Sequence, residues 1–223
     1  MYKRQLKNRD QEWLVGDTVN ASIGQGYVLS SPLQLAVMAA RLASGKNVKP
    51  VLTKSINGRN IHDLENIKDL DIEKSHLKIV KDALFQASND RRGTAYGSRI
   101  INNAYRIAGK TGTSQVRNIT GAERENGVAK NEDLPWKRRD HGLFVNFAPY
   151  ENPEIAVSVV VEHGGAGSKS AAPIARDITL QALFKGKPPL EVYPAKDRSA
   201  ILEQQNKLGK VLKELEILRR NKV

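Results

Sequence analysis

Cysteine is absent from the chain, which excludes disulfides and thiolate metal sites. Histidine is sparse: His62, His76, His141 and His163 show no ligand spacing of the H-x-x-x-H kind, so no metal is expected. Aromatic residues make up only 5% of the sequence. The dense basic runs near residues 3–9 and 137–139 therefore lack the interleaved rings on which nucleic-acid bases stack. No stretch approaches the roughly 20 consecutive apolar residues that span a bilayer. Residues 1–7 are charged without an apolar run behind them, so they do not read as a signal peptide, and no means of export or anchoring is expected. Acidic residues are outnumbered, leaving a net charge of +12. That excess suits a solvated basic surface and keeps acidic polymers open as partners, whether nucleic acid, anionic membrane or glycan.

What is present is a soluble-looking alternation of helices and strands. Residues 1–20 are polar and read as a loop. Ser31 and Pro32 form a helix start, and the Ala-rich run over 33–43 reads as a buried helix ended by Gly45. Residues 51–56 alternate as a strand, and Asn57-Gly58 is a hairpin signal before a partner over 59–62. An amphipathic helix is predicted over 71–87, with Ile72, Ile79, Val80, Ala83 and Ala87 on its apolar face. A strand covers 105–116, a polar loop 117–139, a hairpin of strands 143–147 and 155–161, and a helix 171–184. After Pro188-Pro189 the composition becomes charged. Ile201, Leu208, Val211, Leu215 and Leu218 keep the spacing of an amphipathic helix or short coiled coil. Gly209 weakens that helix by about 1 kcal/mol relative to Ala. The expected division is therefore 1–186 as one folded unit and 187–223 as a basic helical or disordered tail.

The run Ala108-Gly109-Lys110-Thr111-Gly112-Thr113 carries the chemistry. In an extended strand Lys110 falls on one face, while Thr111 and Thr113 share the other. Gly109 and Gly112 leave the backbone bare, so a ligand backbone can lie alongside like an added strand. The threonine hydroxyls suit a carboxylate, Lys110 adds positive potential, and the Thr113 N–H can point at a carbonyl oxygen. Lys110, Thr111, Gly112 and Thr113 are the substrate-binding candidates. In isolation the triplet K-T-G suits a polar edge strand better than a binding site.

The surroundings make the triplet specific. The segments 13–18 (Trp-Leu-Val-Gly-Asp-Thr), 22–27 (Ser-Ile-Gly-Gln-Gly-Tyr) and 32–36 (Pro-Leu-Gln-Leu-Ala) come first. They are followed in order by Gly93-Thr94-Ala95, the K-T-G run with Ser114-Gln115-Val116, Phe147-Ala148-Pro149 and the segment 162–167 (Glu-His-Gly-Gly-Ala-Gly). Together, over residues 13–184, they resemble the class B penicillin-binding proteins, and the wording of 23–27 and 164–167 resembles the elongation-type branch. The resemblance implies an α/β (α+β) fold of the transpeptidase and serine β-lactamase kind, here partial: an antiparallel sheet with packed helices. It implies a cofactor-free peptidoglycan D,D-transpeptidase on the periplasmic face of the inner membrane. There the serine of an S-x-x-K motif attacks the penultimate D-Ala carbonyl of a stem peptide, and the acyl group passes to a neighbouring amine. The S-x-N serine and the K-T-G lysine assist, and β-lactams acylate the same serine. Implied partners are the stem peptide or a β-lactam, the N-terminal half of the domain and the cell-elongation machinery, with no nucleic acid.

One S-x-x-K string exists, Ser75-His76-Leu77-Lys78, but helical phasing puts Lys78 on the solvent side. A lysine that must be neutral to act needs burial beside its serine. The catalytic serine and the S-x-N motif are thus expected to be missing, and the chain to be a C-terminal part that is inactive alone. Exposed apolar surface is expected where the rest would sit. The segment 164–170 superficially resembles a phosphate loop, but Ser168 separates glycine from lysine. His141 and His163 receive no catalytic role. The alternative reading is a non-catalytic basic module that binds nucleic acid or an acidic glycan.

Overall fold

The computed structural model describes residues 12–53, 55–60, 66–117 and 119–220. His62 and the basic run at 3–9 lie outside them. In chain order the elements are α1 (Val15–Ser22), α2 (Pro32–Ser44), β1 (Ser55–Ile56), β2 (Arg59–Asn60), α3 (Lys74–Asn89), β3 (Ala108–Ser114) and α4 (Gly121–Asn126). They continue with β4 (His141–Ala148), β5 (Ile155–Val161), α5 (Gly167–Phe184) and α6 (Arg198–Arg220). Short 3-10 turns fill several of the connections.

The centre is an antiparallel sheet ordered β3-β4-β5. Alternation along β4 sends Phe144 and Phe147 to opposite faces. Phe144 meets Ile107, Ala171, Ala172, Ala175 and Leu180, so α5 covers that face. Phe147 meets Ala43 and Ala108, with Leu84 and Phe85 against them, so α2 and α3 cover the other. The alanines of α5 let it approach closely. Closest of all is Gly167, where a Cβ would stand 2.1 Å from the Leu143 carbonyl oxygen and 2.5 Å from that of Gly112. The result is three layers, helix on sheet on helices.

Local chemistry explains the helix ends. The Ser31 hydroxyl accepts from the Gln34 N–H, and the Gln34 side chain accepts from the Ser31 N–H at 2.9 Å, a capping box ahead of Pro32. Gly45 closes α2 in the left-handed region, at φ 70°. The Asn57-Gly58 turn has positive φ at both residues, as a type I′ hairpin requires. Its strands are shorter than the alternation predicts, two residues each.

Several expectations need correction. Residues 15–22 are helical, with the Asp17 carboxylate accepting from the Leu14 N–H at 2.8 Å. The helix α2 is half-exposed: only Ala39 and Ala43 are buried, because the sheet covers one side and Leu33 and Met38 face out. In α3 the predicted apolar face is largely the outward one, with Ile79 and Val80 exposed. Its inward stripe is Leu77, Lys81, Leu84, Phe85 and Ser88, at helical spacing. Two polar members disguise it: Lys81 Nζ donates to the Ala43 carbonyl at 3.0 Å, and the buried Ser88 hydroxyl donates to that of Gly109. Leu33, Met38, Ile79 and Val80 leave apolar surface exposed on these two helices.

Beyond α5 the chain stays with the core. Val192, Tyr193 and Ile201 belong to the cluster around Phe144. The buried Arg176 side chain, on α5, donates to Asp177 at 2.8 Å and to Asp197, and its guanidinium lies over the Tyr193 ring. Burial holds the Asp177 carboxyl above its ordinary range even beside this cation. From there α6 runs unbroken through Gly209, carrying exposed Leu208, Val211, Leu215 and Leu218.

Candidate functional site

Among the described residues β3 is the outer strand of the sheet, so one of its edges has no strand partner. It runs antiparallel to β4, with Lys110 opposite Val145 and Thr113 opposite Gly142. Alternate carbonyls along its outer edge are each claimed by a side chain. Asn89 Nδ2 donates to Ile107 O at 2.8 Å, and Ser88 Oγ to Gly109 O at 3.3 Å. Lys110 Nζ donates to Thr111 O at 3.0 Å, and Gln25 Nε2 to Thr113 O at 2.9 Å. In an antiparallel ladder a residue's N–H and C=O point the same way. Thr111 and Thr113 therefore also turn their N–H groups outward. The edge presents donors while its carbonyls are engaged.

Side chains follow the opposite rule of alternation. Lys110 lies on the α2/α3 side of the sheet with Ala108, and its side chain is exposed. Thr111 and Thr113 lie on the α5 side, where the Thr111 hydroxyl shares a hydrogen bond of 2.9 Å with that of Thr94. Gly109 is required at its place, since a Cβ would come within 2.5 Å of the Val145 carbonyl oxygen and 2.7 Å of Phe144. Gly112 is looser, with Leu143 at 3.4 Å.

The loop leaving β3 is folded back rather than extended. Asp140 accepts from the Val116 and Asn131 side of the loop, and its carbonyl accepts from the Gly165 N–H at 2.8 Å. His163, at φ 55°, donates its backbone N–H to His141 Nδ1 at 2.8 Å, with Trp136 edge-on to its ring. Both histidines serve the loop's conformation. Gly164 and Gly167 serve close packing of the turn into α5, with Val161 and Leu143 as the neighbours a Cβ would strike.

The remaining strings lie elsewhere. Ser75 and Lys78 are both exposed, with Lys78 Nζ on Asp82 along α3 and Ser75 on Glu73. The predicted solvent position of Lys78 is observed. A string of S-x-N form, Ser55-Ile56-Asn57, is also in the chain, but it is the exposed β1 hairpin and its turn. Among the described residues no group of histidines and carboxylates is placed to hold a metal ion, and no helix is long and apolar enough to cross a membrane. Gln25, Ser88, Asn89 and Thr94 reach the motif strand without having been singled out from the sequence. Gln25 and Thr94 sit inside the ordered segments 22–27 and 93–95. Ser88 and Asn89 read only as the polar end of a helix.

This arrangement can hold a carbonyl or carboxylate oxygen. Outward N–H groups, two hydroxyls and an ammonium converge on one edge. Among the described residues no histidine or carboxylate hydrogen-bonds the Thr111 or Thr113 hydroxyl, so neither has a base to activate it.

The penicillin binding protein transpeptidase domain family matches residues 3–180. The chain is 34% identical over 211 residues to the peptidoglycan D,D-transpeptidase MrdA of Haemophilus influenzae, covering 90% of this chain and 32% of that protein. It is 36% identical to MrdA of Acinetobacter baumannii, covering 76% of this chain and 25% of the relative. The chain thus spans about a quarter to a third of the length of these relatives. Penicillin-binding protein 2 of Pseudomonas aeruginosa superposes with a TM-score of 0.63 at 36% identity, over 85% of this chain and 39% of that one. The Helicobacter pylori protein of the same name, solved in complex with MreC, superposes at 0.61 with 30% identity, over 81% of this chain and 30% of its own. With the family match running through the motif strand and both layers around it, the chain belongs to the penicillin-binding protein transpeptidase family.

Proposed function

We propose that this chain is the C-terminal part of a peptidoglycan D,D-transpeptidase of the elongation type, and that Lys110, Thr111, Gly112 and Thr113 form its substrate-binding wall. Residues 1–186 would be the transpeptidase portion, and 187–223 an appended basic segment. The observation that carries this reading is the outer edge of β3, where N–H groups face out, carbonyls are engaged and Lys110 stands alongside. A stem peptide ending in a free carboxylate presents the matching acceptors, and so does a β-lactam. Lys110 and the hydroxyls of Thr111 and Thr113 hold the carboxylate, and the Thr113 N–H polarises the scissile carbonyl.

The attacking serine is supplied from outside this chain. Ser75 and Lys78 cannot replace it: both are solvated, and Lys78 is engaged by Asp82. The working enzyme sits at the inner membrane facing the periplasm, and the MreC complex of the Helicobacter pylori relative supports an elongation-machinery partner.

Fluorescent penicillin followed by a denaturing gel tests the proposal. The chain alone should give no covalent band. Mixed with an N-terminal transpeptidase portion that carries S-x-x-K and S-x-N, it should restore labelling of that portion, and Lys110→Ala should abolish it. A band on the isolated chain refutes the reading.

A further inference from the structure

The segment 22–27 lies far from the K-T-G run in sequence, yet one of its side chains ends on it. Gln25 Nε2 donates to the Thr113 carbonyl at 2.9 Å. A carbonyl can only accept, so the amide nitrogen must face it. The loop is shaped to deliver this group. Gly24 and Gly26 flank Gln25 with φ of 74° and 69°, a conformation side-chain-bearing residues seldom adopt. The Gln25 backbone N–H is fixed to the Asn20 carbonyl at the end of α1, at 2.9 Å. The side chain is half-buried against the strand.

Two consequences follow for the edge of β3. The Thr113 carbonyl and the Ser114 N–H belong to one planar trans peptide and point in opposite directions. Ser114 faces His141 across the ladder, so Gln25 from outside and β4 from inside grip the same plate. The Thr113 N–H lies just before that plate and on its outward side. An oxygen acceptor approaching it would otherwise meet the Thr113 carbonyl dipole, and the Gln25 donor offsets that repulsion.

We propose that Gln25 is a positioning residue of this site: it fixes the end of the motif strand so that the Thr113 N–H is aimed at a ligand oxygen. The role rests on the carboxylate-site reading above. Gln25 touches the strand and acts through it.

The experiment uses the ¹⁵N-labelled chain, read by amide hydrogen exchange and by titration with N-acetyl-D-Ala-D-Ala. Gln25→Met keeps the length and removes the donor, and Gln25→Glu replaces it with an acceptor. Both should speed exchange at Ser114 by roughly five- to tenfold, the weight of one hydrogen bond, with Lys110 and Ala172 unchanged as controls on folding. Gln25→Lys returns a donor of similar reach and should restore slow exchange. With the peptide, the Thr113 amide shift should shrink in Gln25→Met while that of Thr111 persists. Wild-type exchange rates in Gln25→Met overturn the proposal. A wild-type chain whose Thr111 and Thr113 amides ignore the peptide overturns the carboxylate reading and the role with it, even where exchange reveals the tie.

Discussion

Gly167→Ala should destabilise the protein strongly although alanine is the better helix former. The residue opens α5 directly beneath the motif strand, and its absent side chain is what lets helix and sheet touch. An added Cβ would stand 2.1 Å from the Leu143 carbonyl oxygen, 2.5 Å from that of Gly112 and 2.9 Å from the Leu143 nitrogen. All three are backbone atoms of paired strands, so no side chain can swing aside. Reaching ordinary van der Waals contact requires α5 to withdraw by roughly 1 Å, which opens its packing on Phe144. Overpacking of this kind costs about 1–3 kcal/mol, and immovable neighbours place this case near 3 kcal/mol. Helix propensity returns at most about 1 kcal/mol. For a domain of this size each kcal/mol moves Tm by about 2–4 °C, so a net loss of about 2–3 kcal/mol should lower Tm by roughly 4–12 °C. Thermal unfolding followed by far-UV circular dichroism measures the shift, and urea unfolding the free-energy change. Gly209→Ala is the companion, in mid-helix with nothing within 4 Å of the new Cβ, and should gain about 1 kcal/mol. A Gly167→Ala protein within about 0.5 kcal/mol of wild type would refute the close-contact argument.

Arg176→Met should cost about 3 kcal/mol or more, because Asp177 and Asp197 lose their shared cation in a largely buried setting. Limited proteolysis should then cut within 187–197. The Tyr150 phenol, donating to the Asp82 carboxylate, has its pKa pushed up to about 12, a value that phenolate absorbance can read and that Asp82→Asn should lower. Because the folded state keeps this proton longer than the unfolded chain, whose tyrosine titrates near pH 10, the contribution is full below about pH 10 and is lost as pH rises through about 12. Ser88→Ala should cost about 1 kcal/mol by urea unfolding and loosen the Gly109 end of β3, seen as faster exchange of its neighbouring amides. Lys78→Met should leave Tm nearly unchanged, since its ion pair with Asp82 is an exposed i,i+4 contact screened by water.

Much of this organisation is legible in the sequence. The Ser31-Pro32 start, the Gly45 stop, the Asn57-Gly58 turn and the β4–β5 hairpin follow from local rules that tertiary context seldom overrides. The candidate residues 110–113 do share one strand, and alternation put Lys110 and the threonines on the correct faces. What local rules missed came from contacts distant in sequence. The inward stripe of α3 was hidden because Lys81 and Ser88 look polar, yet each is satisfied by a carbonyl from another element. The Gln25 contact joins residues 88 positions apart, a separation no periodicity reports. Tyr193 packs beneath the guanidinium of Arg176, a residue whose charge gives no hint that it lies inside.

The engaged carbonyls of β3 also govern how this protein can meet copies of itself. A bare strand edge recruits other strands by offering donors and acceptors in turn. On β3 the acceptors are occupied by Asn89, Ser88, Lys110 and Gln25, so a second chain finds only half a ladder there. The opposite border is β5, rich in valine and isoleucine and with no strand beyond it among the described residues. Strand addition between copies is therefore expected at the β5 border rather than along β3.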